Sequence, residues 1–245
     1  MIINCSFIDI HSHHASDADA LTLLSVDIAE YPNQQAIRQH RYFSVGLHPW
    51  FINNQDWPFA LERIDAAATS SRVLAIGECG LDKTKIIDTP LDVQEVILCR
   101  QIDISERHGK PLIIHCVRAF NELLQIKRQT KPRQPWIIHG FSGKPPLAKS
   151  LVKRGCWLSF GPALMRESSG VRSTLAEMPI DKIFLETDAA DLPISCVYQA
   201  AAAILGHSVS SLCGQINANF RQVFGAYSTS RCKSTEPRLG NMPAS

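Results

Sequence analysis

The sequence predicts an α/β protein in which eight parallel strands close into a single barrel of the (β/α)8, TIM type. Eight short apolar or β-branched runs recur along the 245 residues, and helix-like periodic segments lie between most of them. Strand–helix–strand repeats imply parallel strands with right-handed crossovers, and eight such strands favour a closed barrel over an open sheet. This length, with a hydrophobic content of 45%, suits one large core.

The amino-terminal part of the chain supplies four predicted strands and two predicted helices. The strands are Phe7–His11, Leu21–Val26, Tyr42–Leu47 and Val73–Gly77, and the helices are Gln34–His40 and Phe59–Ala68. Only HHASDADA, residues 13–20, separates the first two strands. That is too short for an ordinary crossover helix, so we expect the first helix to be shortened or lost.

The remaining strands are separated by clearer helices. The predicted strands are Pro111–Ile114, Trp136–Ile138, Trp157–Phe160 and Ile183–Glu186, and the helices are Val93–His108, Ala119–Lys127, Leu147–Arg154, Val171–Glu177, Cys196–Leu205 and Ser210–Phe224. Glycines that follow helices support the ends at Gly109 and Gly155. We therefore predict one barrel domain over residues 1–225 and a disordered carboxyl-terminal tail over 226–245, where the sequence is polar and aperiodic.

Composition narrows the location and the partners of the protein only slightly. A formal net charge of +2 gives no global field that favours nucleic acid or an anionic membrane. We expect a cytoplasmic protein with no membrane partner, because the sequence has neither a signal-peptide pattern nor an apolar stretch near 20 residues. A monomer is expected as well. The eight cysteines form no C-x-x-C pair, and reduced, mostly buried thiols are the expectation.

Five of the nine histidines lie at the predicted ends of strands, where a barrel of this type builds its active site. They are His11, His13, His48, His115 and His139, and two acidic residues, Glu78 and Asp188, share such positions. Alternation along a strand directs His11 and His13 to the same side. The H-x-H pair alone is weak support for a metal site, since chance histidines also end strands, but chance explains the whole set poorly.

This mixture of imidazoles and carboxylates predicts a pair of divalent cations. Two imidazoles with carboxylates suit one ion, and two further imidazoles that share a carboxylate suit a second ion close to it. Such a pair, about 3.5–4 Å apart, stabilises the attacking and leaving oxygens of an in-line displacement and lowers the pKa of water. The predicted chemistry is therefore hydrolysis.

The motifs resemble those of the TatD family of metal-dependent hydrolases, which are amidohydrolase-like barrels. They occur in chain order as DIHSHH, VGLHPW, IGECGLD, PLIIHC, HGFSG and LETDA, and the resemblance runs from Phe7 to about Gly225. It implies two divalent ions, of Zn, Mn, Mg or Ni, and a deoxyribonuclease activity that in some members is a 3'-5' exonuclease. The segment AADLPIS after Asp188 departs from the longer family loop and predicts a more open site.

The resemblance also implies a role for each residue. His11 and His13 would bind the first ion, His115 and His139 the second, and Glu78 would bridge both. Asp188 would lie on the first ion and orient or deprotonate the attacking water, so that Asp188 and Glu78 are the predicted catalytic residues. Two substrate-binding residues are predicted as well, namely His48 and Arg118.

Three functions remain open from the sequence. The leading hypothesis is a two-metal phosphodiesterase that acts on DNA or another phosphate ester. The second is an esterase, lactonase or amidase of the amidohydrolase type, because the same nucleophile attacks a carbonyl. The third is a metal-binding interaction protein without catalysis.

Overall fold

The computed structural model describes residues 7–14, 20–31 and 41–225 of the chain. Eight strands form one sheet in the order β1 to β8, and every neighbouring pair is parallel. The strands are β1 (Phe7–Ser12), β2 (Ala20–Asp27), β3 (Tyr42–Gly46), β4 (Val73–Asp82), β5 (Leu112–Val117), β6 (Trp136–Ile138), β7 (Cys156–Phe160) and β8 (Ile183–Leu185). The predicted barrel of parallel strands is therefore confirmed.

The barrel closes between β1 and the residues that follow β8. Ser12 and Asp188 form a parallel bridge. The amide of His13 donates to the carbonyl oxygen of Asp188 at 3.0 Å, and the amide of Asp188 donates to the carbonyl oxygen of His11 at 3.0 Å. Closure thus uses the same short segments that carry predicted ligands, and it brings the first and last of them together.

Seven α-helices lie within the described residues, mostly between the strands. They are α1 (Trp57–Ala67), α2 (Leu91–His108), α3 (Phe120–Thr130), α4 (Pro145–Lys153), α5 (Gly170–Ala176), α6 (Ile194–Leu205) and α7 (Val209–Phe224). The Asp56 side chain accepts from the amide of Phe59 and so caps the start of α1. Gly109 ends α2 in the left-handed conformation, with φ of 64°.

Apolar strand residues and one face of each helix pack into a continuous core. The aromatic residues Trp136, Phe160, Phe184 and Phe220 are fully buried. No single helix in the described ranges is long and apolar enough to cross a membrane. The six cysteines that fall in these ranges are free thiols.

Some predicted boundaries need correction. Strand β4 continues past Gly77 to Asp82, and β5 begins at Leu112 and runs past Ile114 to Val117. Short 3-10 helices at Ile52–Asn54, Lys83–Lys85, Pro162–Met165 and Ile180–Lys182 were not predicted. The predicted helix Gln34–His40, the tail over 226–245 and most of the first crossover, residues 15–19, lie outside the described residues.

Candidate metal centre

The six predicted ligand residues meet at the carboxyl-terminal end of the barrel, around the Glu78 carboxylate. Strands β1, β4 and β5 carry His11, Glu78 and His115, while His13, His139 and Asp188 lie just after strands. Parallel strands direct all their carboxyl ends to one side of the sheet, so residues far apart in sequence converge there. Glu78 lies inside this cluster and is 8% exposed.

One oxygen of Glu78 faces the two histidines of the H-x-H motif. Its Oε2 atom lies 3.4 Å from Nε2 of His11 and 3.4 Å from Nε2 of His13. The Oδ1 atom of Asp188 lies 3.6 Å from each of the same two nitrogens. Two imidazole nitrogens thus each lie within 3.6 Å of two carboxylate oxygens, a donor set that suits a divalent cation.

The other oxygen of Glu78 faces the histidines of the later strands. Its Oε1 atom lies 2.8 Å from Nε2 of His139 and 3.1 Å from Nδ1 of His115. This second group uses the opposite oxygen of the same carboxylate, and it adjoins the first group, because the ring centre of His139 lies 4.2 Å from that of His11. The two sides of Glu78 thus define two candidate cation positions.

The charge of Glu78 raises the pKa values of two of the surrounding imidazoles, those of His139 and His13. Burial alone would raise the pKa of Glu78, but His139 and the contacts with His11, His115 and His13 hold it well below its usual value. Burial alone would lower the pKa of His139, yet the Glu78 charge raises it well above its usual value. Contact with Glu78 also raises the pKa of His13. The site therefore attracts positive charge.

Buried nitrogen atoms at the site fit a bound cation. Both ring nitrogens of His11 and both of His139 are buried and make no hydrogen bond of good geometry within the described residues. Buried polar atoms without a hydrogen bond are rare, because they lose water without replacement. A divalent cation held by the Nε2 atoms of His11 or His139 and a Glu78 oxygen would give each of these nitrogens a partner, so the donor set fits the metal that the sequence predicts.

His48 also contacts the Glu78 carboxylate, but as a neutral ring with its proton on Nε2. Its Nδ1 atom accepts the amide N–H of Trp50 at 3.1 Å, so its Nε2 atom carries the proton when the ring is neutral. Nε2 lies 2.9 Å from Oε1 of Glu78 and donates to it. Burial lowers the pKa of His48, although Glu78 opposes this. His48 thus acts here as a neutral donor beside the predicted ligands.

Two buried carboxylates lie behind histidines of the site, and sequence reasoning missed both. The Oδ2 atom of Asp82 accepts from Nε2 of His115 at 3.1 Å, and the Oε1 atom of Glu186 lies 3.8 Å from Nδ1 of His139. Glu186 is fully buried and also accepts from the amide of Gly140 at 2.5 Å. Spacing gives at most a weak signal for Asp82, which follows Glu78 by four residues on β4, and none for Glu186, which lies beyond the end of β8.

A buried network fixes the backbone that carries Asp188. The carboxylate of Asp9 accepts from the amide of Thr187 at 3.0 Å and from its hydroxyl at 2.6 Å. Burial raises the pKa of Asp9 to about 7, although these hydrogen bonds oppose the shift. The adjacent Asp188 has φ of 53°, a conformation that few residues other than glycine adopt. The network stabilises this conformation at the edge of the site.

A cavity of about 390 Å³ opens over the Glu78 cluster. Its walls include Ser25, Asp27, Trp50 and Phe51, together with most of the predicted ligands. Trp50 and Phe51 are 48% and 41% exposed. Arg118 is exposed after β5 with φ of 55°, and it is not among the residues that line this cavity.

Comparison with known proteins extends over most of the chain. The protein YjjV of Escherichia coli K12, described as an uncharacterized metal-dependent hydrolase, is 31% identical over 161 residues. That match covers 64% of this chain and 61% of the relative. A protein of Klebsiella pneumoniae named 3'-5' ssDNA/RNA exonuclease TatD is 26% identical over 237 residues, with 86% of this chain and 88% of the relative covered.

Solved structures agree on the fold. The crystal structure of Escherichia coli YjjV has a TM-score of 0.76 with 24% identity and covers 91% of this chain and 99% of that one. The family model described as TatD related DNase matches residues 15–225. With its barrel and its cluster of histidines and carboxylates, the chain belongs to the TatD related DNase family.

Proposed function

We propose that this protein is a metal-dependent phosphodiesterase that removes nucleotides from single-stranded nucleic acid, in the 3'-5' direction. The observation that carries the proposal is the position of Glu78, whose two oxygens face two separate sets of imidazoles. Family membership supports it, and the Klebsiella relative is named as an exonuclease for single-stranded DNA and RNA. Neither the esterase hypothesis nor the interaction-protein hypothesis receives comparable support.

The proposed ligand sets follow the two sides of Glu78. His11, His13 and Asp188 with Oε2 of Glu78 would hold one cation. The other oxygen, Oε1, would hold a second cation with His115 and His139. The number of ions, two, and their identity as Zn, Mn, Mg or Ni are part of this proposal.

A bound pair of such cations would supply Lewis acidity, which lowers the pKa of water and neutralises charge on a phosphodiester. Within the protein, Asp188 is the proposed base. Its side chain is 39% exposed and borders both the cation position and the cavity, so Oδ1 can accept the proton of the attacking water. His48, with its proton on Nε2, would keep Oε1 of Glu78 in place or donate to a substrate oxygen.

The substrate is proposed to lie in the cavity above Glu78. The exposed rings of Trp50 and Phe51 in its wall can stack with bases, a contact that tolerates any sequence. Arg118 remains a predicted phosphate contact at the end of β5. A nucleic-acid substrate requires that binding weaken steeply with added salt.

The test is hydrolysis of an end-labelled single-stranded oligonucleotide by metal-stripped protein, with Mg, Mn or Zn added back. We expect stepwise shortening from the 3' end that depends on the added metal. The variant Asp188→Asn, which removes the base without a large change of shape, should reduce turnover by at least about 100-fold. The surface variant Glu177→Gln is the matched control, because this residue pairs with Lys149.

Either of two results would overturn the proposal. One is cleavage by the metal-stripped protein that added ions do not increase. The other is wild-type turnover by Asp188→Asn, which would remove this residue from the reaction. The cytoplasmic location and the monomeric state are part of the same proposal. Fractionation of cells tests the location, and analytical ultracentrifugation tests the monomeric state.

A further inference from the structure

We infer that Asp82 is the positioning residue of the second cation site, where it fixes the ring of His115 and joins it to Trp50 at the mouth of the cavity. The inference deepens the proposed function and rests on its assignment of His115 as a ligand. It concerns a residue that contacts neither the cation position nor the substrate directly. Its action is to decide which nitrogen of His115 is free to bind.

The contacts of His115 divide cleanly between two carboxylates. Nε2 lies 3.1 Å from Oδ2 of Asp82, and Nδ1 lies 3.1 Å from Oε1 of Glu78. A neutral imidazole carries one proton, so a proton held on Nε2 by Asp82 leaves the lone pair of Nδ1 directed at the cation position. A carboxylate behind a ligand histidine fixes the ring and increases its basicity.

Asp82 is itself rigidly held, as a positioning residue must be. Its Oδ1 atom accepts from the amide of Thr84 at 2.8 Å and from the hydroxyl of Thr84 at 2.5 Å. The fully buried Gln94 of α2 accepts from the Asp82 amide at 2.7 Å and donates to the Asp82 carbonyl oxygen at 3.2 Å. Asp82 is 1% exposed, so water does not compete for these bonds.

The same oxygen also connects the site to the mouth of the cavity. Oδ2 of Asp82 accepts from the indole Nε1 of Trp50 at 2.7 Å, in addition to its bond with His115. Trp50 is 48% exposed, and its ring centre lies 6.0 Å from that of His115. One carboxylate oxygen thus fixes a proposed ligand and an exposed aromatic surface relative to each other.

The comparison with His139 indicates why Asp82 is the stronger candidate. The carboxylate behind His139 belongs to Glu186, but its Oε1 atom is 3.8 Å from Nδ1, beyond hydrogen-bond distance. Glu186 instead accepts from the amide of Gly140. Of these two carboxylates, only Asp82 is within hydrogen-bond distance of its histidine ring, that of His115.

The test compares zinc binding by metal-stripped wild-type protein and the variant Asp82→Asn in calorimetric titrations. We expect one of two binding events to weaken by about 10- to 100-fold, which is typical when an outer partner of a ligand is changed. The other event, at His11 and His13, should keep its affinity. Asp65→Asn is the matched control. This residue makes the same kind of contact outside the site, since its Oδ1 atom lies 2.7 Å from Nε2 of His108 and accepts from it.

A spectroscopic measurement separates positioning from general support of the fold. Nitrogen-15 spectra of the histidine rings at pH 8 should show the His115 proton on Nε2 in the wild type, with or without zinc, and a loss of this preference in Asp82→Asn. If Asp82→Asn does not fold, Thr84→Val, which removes only the hydroxyl donor to Oδ1, should weaken the same zinc event to a smaller degree.

Wild-type affinities at both events, with an unchanged His115 spectrum in a folded Asp82→Asn, would overturn the inference. Equal weakening of both zinc events would also overturn it, because Asp82 would then support the whole site. Absence of zinc binding by the wild type would instead contradict the proposed function. The spectrum of the metal-free protein would still test Asp82 in that case.

Discussion

Glu78 is the residue on which the proposed metal centre depends most. It is buried, its carboxylate is held ionised by the surrounding imidazoles, and each of its oxygens faces a different pair of predicted ligand histidines. A buried charge is costly unless opposite charge surrounds it. The side chain is therefore suited to lie between positive groups, a position from which it could bridge two cations.

Substitution of Glu78 by glutamine tests this dependence. The amide keeps the shape but not the charge, so we expect Glu78→Gln to weaken the binding of both ions. The loss should exceed about 100-fold, because changes of outer partners alone cost ~10- to 100-fold. Calorimetric titration with zinc measures it, and Glu106→Gln, which alters a carboxylate bound by Arg133, is the control. Full retention of both binding events in Glu78→Gln would exclude the bridging role.

At the level of single residues, the sequence was sufficient to predict which strand-end side chains come together. His11, His13, Glu78, His115, His139 and Asp188 meet in the structure, as strand-end positions and the family resemblance predicted. Their roles as ligands stay a prediction. Asp82 and Glu186 were missed because each looks like an ordinary polar residue near a strand end. Only the distances to His115 and His139 distinguish them, and these depend on how neighbouring strands are paired.

Among the strands, the backbones of β4 and β5 lie so close together that glycine is required between them. A side chain at Gly80 would place its Cβ atom 1.9 Å from the carbonyl oxygen of His115, and Gly80 has φ of 149°. Gly77 is similarly close, with 2.4 Å to the carbonyl oxygen of Ile113. Glycine therefore allows β4 to lie against β5 at the level of Glu78, which sets the distance between this residue and His115.

The variant Gly80→Ala tests the requirement for this close approach. The added methyl group must displace backbone and enter an unfavourable φ, so we expect a loss of at least about 2 kcal/mol in the free energy of unfolding. Urea titration measures it. In Gly214→Ala the new methyl group meets no atom within 4 Å inside α7, and the helix should gain roughly 0.5–1 kcal/mol. Equal effects of the two changes would contradict the packing argument.

The turn from α2 into β5 carries a buried lysine with a pH-dependent contribution to stability. Lys110 is 8% exposed and its Nζ atom donates to the carbonyl oxygens of Ser70, at 2.8 Å, and Val73. Burial lowers the pKa of Lys110 to about 8 from its ordinary 10.5. Between these values the unfolded chain binds more protons than the folded chain, so stability should increase as pH rises from about 8 towards 10.5.

The variant Lys110→Met isolates this effect from the other groups that titrate in the same range. The difference in free energy of unfolding between wild type and variant should grow in favour of the wild type as pH rises from 8 to 10. Denaturant titrations at several pH values measure the difference. A difference that stays constant over this range would show that Lys110 has an ordinary pKa in the folded protein.

The accuracy of the predicted elements follows the strength of their local signals. Strand β6 was predicted with its observed bounds, since an apolar run between Pro135 and His139 leaves little choice. Strand β4 was predicted to end at Gly77, because Glu78, Gly80 and Asp82 are unusual in strands. Pairing with β5 overrides these weak local preferences. The predicted helix Cys196–Leu205 likewise begins two residues earlier, at Ile194 after Pro193.

At the scale of the whole molecule, the barrel makes one site from residues that are as far apart as His11 and Asp188. Closure of the barrel at Ser12 and Asp188 is itself part of the site. Helix α6 supports this closure, because the Tyr198 hydroxyl donates to the carbonyl oxygen of Ile8 at 3.0 Å and accepts from the amide of Ile8 at 3.1 Å. Neither the closing contacts nor this support can be read from local sequence.

The domain boundary gives a prediction for the entire chain. Residues 226–245 were predicted to be a tail outside the barrel, so a chain that ends at Gly225 should fold and hydrolyse the oligonucleotide at the rate of the full chain. Its melting temperature should equal that of the full chain within about 2 °C, since ~1 kcal/mol moves this value by 2–4 °C at this size. A clearly lower melting temperature in the shortened chain would mean that the tail packs on the barrel.

The most direct test of the proposed centre is the anomalous diffraction of crystals of the full chain soaked in manganese. We expect two peaks, about 3.5–4 Å apart. One should lie between Oε2 of Glu78 and the pair His11 and His13, and the other between Oε1 of Glu78 and the pair His115 and His139. A single peak, or peaks away from Glu78, would contradict the proposal that this carboxylate bridges two cations.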